Sequence, residues 1–293
     1  MTRCGLEADI AIDQMDYFGD DIPFMQTLSQ RYRSAIVTGA SSGLGRAFAE
    51  MLLAEGVEVW ATSRDAQRLP EHERLHPIAL DLADGRSMEA FSRGMGQLFP
   101  EIDLLINNAG AGVFGSFEEM DPADIAEQMR VLLHGPIALC HQIYPHMLAR
   151  GAGAVVNVAS LAREFPLPYF SLYNAAKAGL SNFTRSLQTE CAGSGVAVID
   201  FQPGDYKTSF NAASKRPDDI DGRVAKAWDS LEKNLNAAPT PDRAARDLRR
   251  ALARGKSDSV TSGDFFQSTI APFLIRFSTW NLTERVMRAY YKL

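Results

Sequence analysis

The sequence predicts an α/β fold, one domain built on a doubly wound parallel β-sheet with helices on both faces. Three observations predict it. Short runs of mostly five to eight residues, apolar throughout, recur from Ser34 onward, as strands buried on both faces do. Helical patterns alternate with those runs, so successive strands are joined by crossovers, which are right-handed in such sheets. Glycines at 39, 43 and 45 sit between the first run and the first helical pattern, on the edge where such sheets bind ligands.

The elements follow in order. Residues 34–38 (SAIVT) form a short β-branched run. From Leu44 to Ala54, Leu44, Phe48, Met51 and Leu52 recur at helical spacing, and Gly56 closes the helix. Strands are expected at 57–62, 76–80, 102–107, 153–160 and 196–202, and helices at 86–98, 122–149 and 171–193. The loops after residues 38, 62, 81, 107, 160 and 203 should therefore share one crevice at the carboxyl ends of the strands. A polar, loop-like stretch from Asp205 to Arg223 precedes a helix at about 224–235, and the composition of 205–238 fits a mobile lid. Residues 1–32 are read as an extension ahead of the fold, 33–256 as the α/β domain and 257–293 as a helical carboxyl-terminal extension.

The chain has 293 residues, 46% hydrophobic and 23% charged, with a formal charge of −6. That length suffices for one large α/β core. The mild acidity supplies no field to attract nucleic acid, which is not expected as a partner. Cys4, Cys140 and Cys191 are far apart and in no metal-ligand spacing. They read as free thiols of a reducing cytoplasm, with no metal site. His134, His141 and His146 read as surface or interface residues. Residues 1–32 carry Asp9, Asp13, Asp16, Asp20 and Asp21 and no unbroken apolar run, unlike a signal peptide. No stretch reaches the length of a transmembrane span.

The glycine turn carries the first chemistry. In Thr38-Gly39-Ala40-Ser41-Ser42-Gly43-Leu44-Gly45 the glycines free the backbone for a tight turn. The helix that follows offers unpaired N–H groups to a pyrophosphate. Three more motifs follow in order. Asn107-Asn108-Ala109-Gly110 ends the fourth strand. Ser160 ends the fifth and precedes Tyr173 by thirteen residues, and Tyr173-Asn174-Ala175-Ala176-Lys177 opens the next helix. Pro203-Gly204-x-x-x-Thr208 follows the sixth strand. This ordered set, T-G-x-x-x-G-x-G, N-N-A-G, Ser with Y-x-x-x-K and P-G-x-x-x-T, resembles the short-chain dehydrogenase/reductase family across about 34–254. The resemblance implies a Rossmann-type fold and a nicotinamide cofactor held by Thr38, Gly39, Ser41, Ser42, Gly43, Leu44 and Gly45. It further implies that Asp81 and Leu82 flank the adenine, that Asn108, Ala109 and Gly110 line the adenosine side, and that Pro203, Gly204 and Thr208 lie beside the carboxamide.

The end of the second strand reads Ala61-Thr62-Ser63-Arg64-Asp65. An acid there would bond a ribose 2′-hydroxyl and repel a 2′-phosphate. Ser63 occupies that position and Arg64 follows, a pair that suits a phosphate dianion, so NADP(H) is expected ahead of NAD(H). The alternative makes Arg64 a solvated arginine and Asp65 a displaced acid.

Tyr173 and Lys177 are four residues apart on one helical face. Reducing a ketone needs hydride at carbon and a proton at oxygen. A phenol near its ordinary pKa of ~10 is a poor shuttle at neutral pH, and a neighbouring ammonium lowers that value. The expectation is Tyr173 as general acid and base, Lys177 lowering its pKa and, by the resemblance, holding the ribose, and Ser160 binding the substrate oxygen.

One position departs from the family pattern. Family members commonly carry an asparagine three residues before a glycine in the helix after N-N-A-G, where it positions a water linked to the lysine. Here Leu132 precedes Gly135 at that spacing. Gln128, one turn earlier, is the candidate substitute. Phe114, Phe165, Phe170, Tyr206 and Phe210 suggest an apolar or aromatic carbonyl substrate. The aromatic tail, Phe265–Leu293, is expected to pack within the chain, with a subunit contact or a membrane surface as alternatives. The resemblance implies a homodimer or homotetramer. Two other functions compete: an NADP(H)-binding regulator or scaffold with weak turnover, and a sugar-nucleotide epimerase or dehydratase, against which the glycine spacing argues.

Overall fold

Along each central strand the side chains alternate between two cores. In β1 (Ser34–Val37), Ile36 joins one apolar cluster while Ala35 and Val37 join another. In β4 (Leu104–Asn107), Leu105 faces the first while Leu104 and Ile106 face the second. That period of two, with both faces buried, is why these strands read as unbroken apolar runs. The computed structural model describes residues 27–217 and 222–293. With β2 (Glu58–Ser63), β3 (Leu75–Ala79), β5 (Gly153–Val158), β6 (Val196–Pro203) and β7 (Asp258–Ser262), the strands form one parallel sheet in the order 3-2-1-4-5-6-7.

Helices cover both faces. Phe48 and Leu52 of α1 (Gly43–Ala54) and Leu248 and Leu252 of α8 (Pro241–Arg254) pack on one. Phe91 of α2 (Gly85–Met95), Leu139 and Ile143 of α4 (Gly135–Arg150) and Leu187 of α5 (Ser171–Glu190) pack on the other. Because β1 pairs with β2 on one side and β4 on the other, the chain leaves it in opposite directions. The loops after β1 and β4 therefore part and open a crevice.

Three features differ from the sequence reading. The sheet runs past residue 256, since Asp258–Ser262 is β7, an edge strand parallel to β6. Its Asp-Ser-Val-Thr-Ser sequence is short and polar, as edge strands are, and carries no apolar run to reveal it. Residues 27–32, counted with the amino-terminal extension, pack on the fold. Leu28 and Tyr32 are buried, Leu28 N donates to Glu55 Oε2 at 2.9 Å, and Tyr32 Oη donates to the Leu252 carbonyl at 3.3 Å. The rest of that extension, residues 1–26, lies outside the described residues. The helix expected at 122–149 is α3 (Pro122–Met129) joined to α4 by a π-helical turn, Arg130–His134. Pro136 has no N–H to return to the Leu132 carbonyl, so the α-helical ladder cannot run unbroken there.

Beyond β6 come α6 (Phe210–Ala213) and α7 (Gly222–Ala237), in the stretch 205–238 whose residues 218–221 lie outside the described residues, and α9 (Ala271–Ile275) and α10 (Trp280–Tyr290) make up the tail. α7 packs on an aromatic cluster in which Phe114 meets Phe170 and Trp228 at ring distances of 5.2 and 4.9 Å.

Candidate active site

A cleft of about 1200 Å³ lies along the carboxyl edge of the sheet. The glycine turn forms its floor. Gly39 and Gly43 hold φ of +67° and +56°, where a side chain would be strained. Gly45 is held by sterics instead, because a Cβ there would lie 2.3 Å from the Gly39 carbonyl oxygen and 2.4 Å from Asn108 Nδ2. Thr38 pins the turn to the strand beside it. Its Oγ1 accepts from the amides of Asn108 and Ala109 at 2.9 and 3.0 Å, and Asn108 Nδ2 donates to its carbonyl at 2.9 Å. Thr38 and Gly45 thus brace the turn from behind, whereas Gly39, Ser41, Ser42, Gly43 and Leu44 face the cleft. No side chain caps the start of α1, so its first N–H groups are left for a ligand.

At one end, Ser63 and Arg64 line the cleft with Asp65. The Asp65 carboxylate accepts from Gln67 N at 3.0 Å and caps the turn Ala66–Arg68. Arg68, absent from the sequence reading, lines the same end. A second arginine in the short segment that follows β2 is the signal that could have found it. Asp81 and Leu82 form the opposite wall there, with Asp81 N bonded to Ser87 Oγ at 2.8 Å.

At the other end the candidate catalytic side chains meet. Ser160 Oγ accepts from Ala162 N at 3.0 Å and donates to the Pro203 carbonyl at 3.5 Å. The Ser160 hydroxyl is near enough to the Tyr173 phenol to lower its pKa. Lys177 is 5% exposed, donates from Nζ to the Val158 carbonyl at 2.6 Å, and lies 5.8 Å from the centre of the Tyr173 ring. Burial pushes the Lys177 ammonium down to about 8, partly offset by the Asp200 carboxylate. Burial is likewise the largest influence on Tyr173, whose phenol lies above its ordinary value, partly offset by the Ser160 hydroxyl. The expectation that Lys177 brings the phenol below its ordinary value is therefore not met: desolvation of the phenolate outweighs any attraction to the ammonium.

The family follows from a comparison with known proteins. The sequence model of the short chain dehydrogenase family matches residues 33–219. This chain belongs to that family. It is accordingly a nicotinamide-dependent oxidoreductase. A 3-ketodihydrosphingosine reductase of Bacteroides thetaiotaomicron is 24% identical over 268 residues, 88% of this chain and 97% of that protein. A short-chain dehydrogenase from Streptomyces avermitilis superposes with a TM-score of 0.74 at 28% identity, covering 88% of this chain and 98% of its own. The L-sorbose reductase of Gluconobacter frateurii, solved with NADPH and L-sorbose, gives 0.63 at 26%, covering 80% and 96%.

In this short-chain dehydrogenase, Ala109, Gly110, Pro203, Gly204 and Thr208 also line the cleft. Thr208 sits over the glycine turn, 3.4 Å from where a Cβ on Gly43 would be. Leu132 is fully buried and does not reach the cleft. Its Cδ2 packs beneath Gly110, 2.9 Å from a Cβ built there. Gln128 does line the cleft, is 4% exposed, and has neither Oε1 nor Nε2 hydrogen-bonded. Of the aromatic residues expected to face substrate, Phe165, Tyr206 and Phe210 line the cleft, whereas Phe114 and Phe170 do not. Those two are spent on the core beneath α7, where apolar burial outweighs exposure to the cleft.

The sequence reading also missed a latch between tail and site. Gln267 Oε1 accepts from Asp205 N at 3.0 Å while its Nε2 donates to Asp205 Oδ2 at 2.7 Å. Gly204 lies beneath it, where a Cβ would come within 2.5 Å of Gln267 Oε1 and displace that side chain. Among the described residues no group of His, Cys, Asp and Glu could hold a metal.

Proposed function

We propose that this chain is an NADP(H)-dependent oxidoreductase that interconverts a carbonyl and a secondary alcohol on an apolar or aromatic substrate. The observation that carries the reading is the shared wall of Ser160, Tyr173 and Lys177 in a cleft whose other end is an uncapped helix start. The cleft suits a dinucleotide phosphate in its own chemistry. Glycine backbone and free N–H groups would hold the pyrophosphate, with Ser63, Arg64 and Arg68 at the ribose-phosphate end. The sorbose reductase, solved with NADPH, supports the same choice. When bound, the nicotinamide supplies the hydride.

The protein's own residues do the rest. Ser160 donates to the substrate oxygen as negative charge develops there. Tyr173 gives that oxygen a proton, its phenol lying above its ordinary value because burial disfavours the phenolate. Lys177, fixed by the Val158 carbonyl, would hold the ribose hydroxyls of a bound cofactor. Phe165 and Phe210 supply an apolar wall for the substrate.

The competing reading, an NADP(H)-binding regulator with weak turnover, rests on Leu132, which offers no side chain to a proton relay. Tyr173→Phe separates the two. Loss of NADPH oxidation on a carbonyl panel, with NADPH affinity unchanged, supports the enzyme. Equal inactivity of the wild type and the variant supports the binder.

A further inference from the structure

Ten of the twelve large apolar side chains exposed among the described residues lie in the tail between Phe265 and Tyr290. Phe277 is 78% exposed, Phe265 67%, Trp280 62% and Phe273 60%. A surface patch of this density is unusual on a chain that works in water. The tail is not simply unpacked. Thr283, Met287 and Tyr291 recur every four residues along α10 and into its end, turned toward the protein, with Thr283 and Tyr291 buried. Leu282, Val286 and Tyr290 form the next stripe, exposed and at the mouth of the cleft. Arg285 and Arg288 form a third, exposed and basic, with Lys292 exposed just past the end of the helix.

Charge selects the occupant. Residues 265–293 carry Arg276, Arg285, Arg288 and Lys292 against Glu284 alone, 4 − 1 = +3 in side-chain charge, on a chain of −6. Glu284 is itself ion-paired to Arg288 at 2.7 Å. Aromatic and aliphatic side chains beside a basic stripe are the composition of a helix lying in the interface of an anionic bilayer. A second copy fits less well, because a two-fold contact would set one +3 face against another.

We propose that Phe265–Leu293 docks this chain on an anionic lipid surface, and that the cleft, whose mouth is lined by Leu274, Phe277, Leu282 and Val286, takes a carbonyl compound with a long alkyl chain from that surface. The substrate part rests on the oxidoreductase reading; the docking does not.

The full chain is sedimented with vesicles of phosphatidylcholine alone and with about one quarter phosphatidylglycerol. The expected result is binding to the anionic vesicles only, weakened by salt. Arg285→Glu/Arg288→Glu weakens it about tenfold or more, and Phe273→Ser/Trp280→Ser abolishes it. Neither Phe273 nor Trp280 lines the cleft, and an unchanged melting temperature shows that the variant is folded. No binding to anionic vesicles by the wild type overturns the docking. So does a dimer in light scattering that Phe273→Ser/Trp280→Ser dissociates, which assigns the face to a second copy. For the substrate, KM for straight-chain methyl ketones should fall as the chain lengthens. Tyrosine-dependent turnover with a flat KM series overturns the alkyl-chain assignment and leaves the oxidoreductase reading standing. Absence of turnover on every ketone, with vesicle binding intact, overturns the substrate part through that reading.

Discussion

Lys177 Nζ lies 5.8 Å from the centre of the Tyr173 ring, one helical turn away, with its 2.6 Å hydrogen bond directed to the Val158 carbonyl. The two groups respond oppositely to burial. The ammonium falls to about 8, while the phenol rises above its ordinary value. The first of the pair to lose its proton on the alkaline side is therefore the lysine. Below about 8 it is charged; as pH rises through about 8 the charge is lost, while Tyr173 stays protonated. kcat/KM for NADPH-dependent reduction should show an alkaline limb centred near 8. Asp200 raises the lysine value, so Asp200→Asn should move the limb to lower pH. A limb that stays put in this variant would detach Asp200 from Lys177.

Gln128 is a buried amide with both polar atoms unpaired, facing the cleft. An orphaned buried amide costs roughly 1–3 kcal/mol. Gln128→Leu should leave the melting temperature unchanged or raise it, yet lower turnover about tenfold if the amide holds a water in the proton path. Leu132→Asn should do the reverse to stability. It replaces a fully buried apolar side chain beneath Gly110 and should cost about 2–4 kcal/mol. Thermal melts and steady-state rates of the two variants check both signs. A Leu132→Asn protein that gained turnover would make the leucine the cause of weak catalysis.

What the sequence revealed and what it hid follow from how each element is buried. β1, β4 and β6 are buried along their whole length, so their apolar runs and the glycine turn between β1 and α1 were readable. That Ser160, Tyr173 and Lys177 share one cleft was readable because strand-end and i, i+4 geometry fix direction without knowledge of the fold. β7 was hidden because an edge strand needs no apolar period. The positions of Phe114 and Phe170 in the core, and the bonds from Gln267 to Asp205, depend on segments 56 and 62 residues apart in sequence, which no local pattern encodes. The rise of the Tyr173 phenol was hidden for a related reason: a charge four residues away can be read from spacing, but the depth of desolvation cannot.

Gly45 is constrained by the approach of the Gly39 carbonyl and the Asn108 amide rather than by its own backbone angles. Gly45→Ala must push apart two pieces of the turn that Thr38 otherwise holds together. A cost of about 1–3 kcal/mol is expected from such overpacking, with a melting temperature lower by several degrees. NADPH affinity should fall at least about tenfold, since the N–H groups that would face the pyrophosphate move with the turn. A variant with native affinity would show that the turn relaxes without disturbing its ligand face.

The choice between NADP(H) and NAD(H) rests on Arg64 and Arg68. Both line the cleft at the end of β2, where Ser63 stands in place of an acid. Asp65, the nearest acid in sequence, is engaged by the amide of Gln67, so its carboxylate caps the turn. Arg64→Ala should weaken NADPH about tenfold, the scale of one hydrogen bond to a charged group, and leave NADH nearly unchanged. Arg64→Ala/Arg68→Ala should bring the two cofactors close to parity. Added salt should weaken NADPH more than NADH in the wild type and erase that difference in the double variant, because the contacts at stake are exposed and screened. Isothermal titration of both cofactors against both variants decides it. Equal losses for NADPH and NADH would place the arginines on the shared part of the dinucleotide and return the discrimination to Asp65.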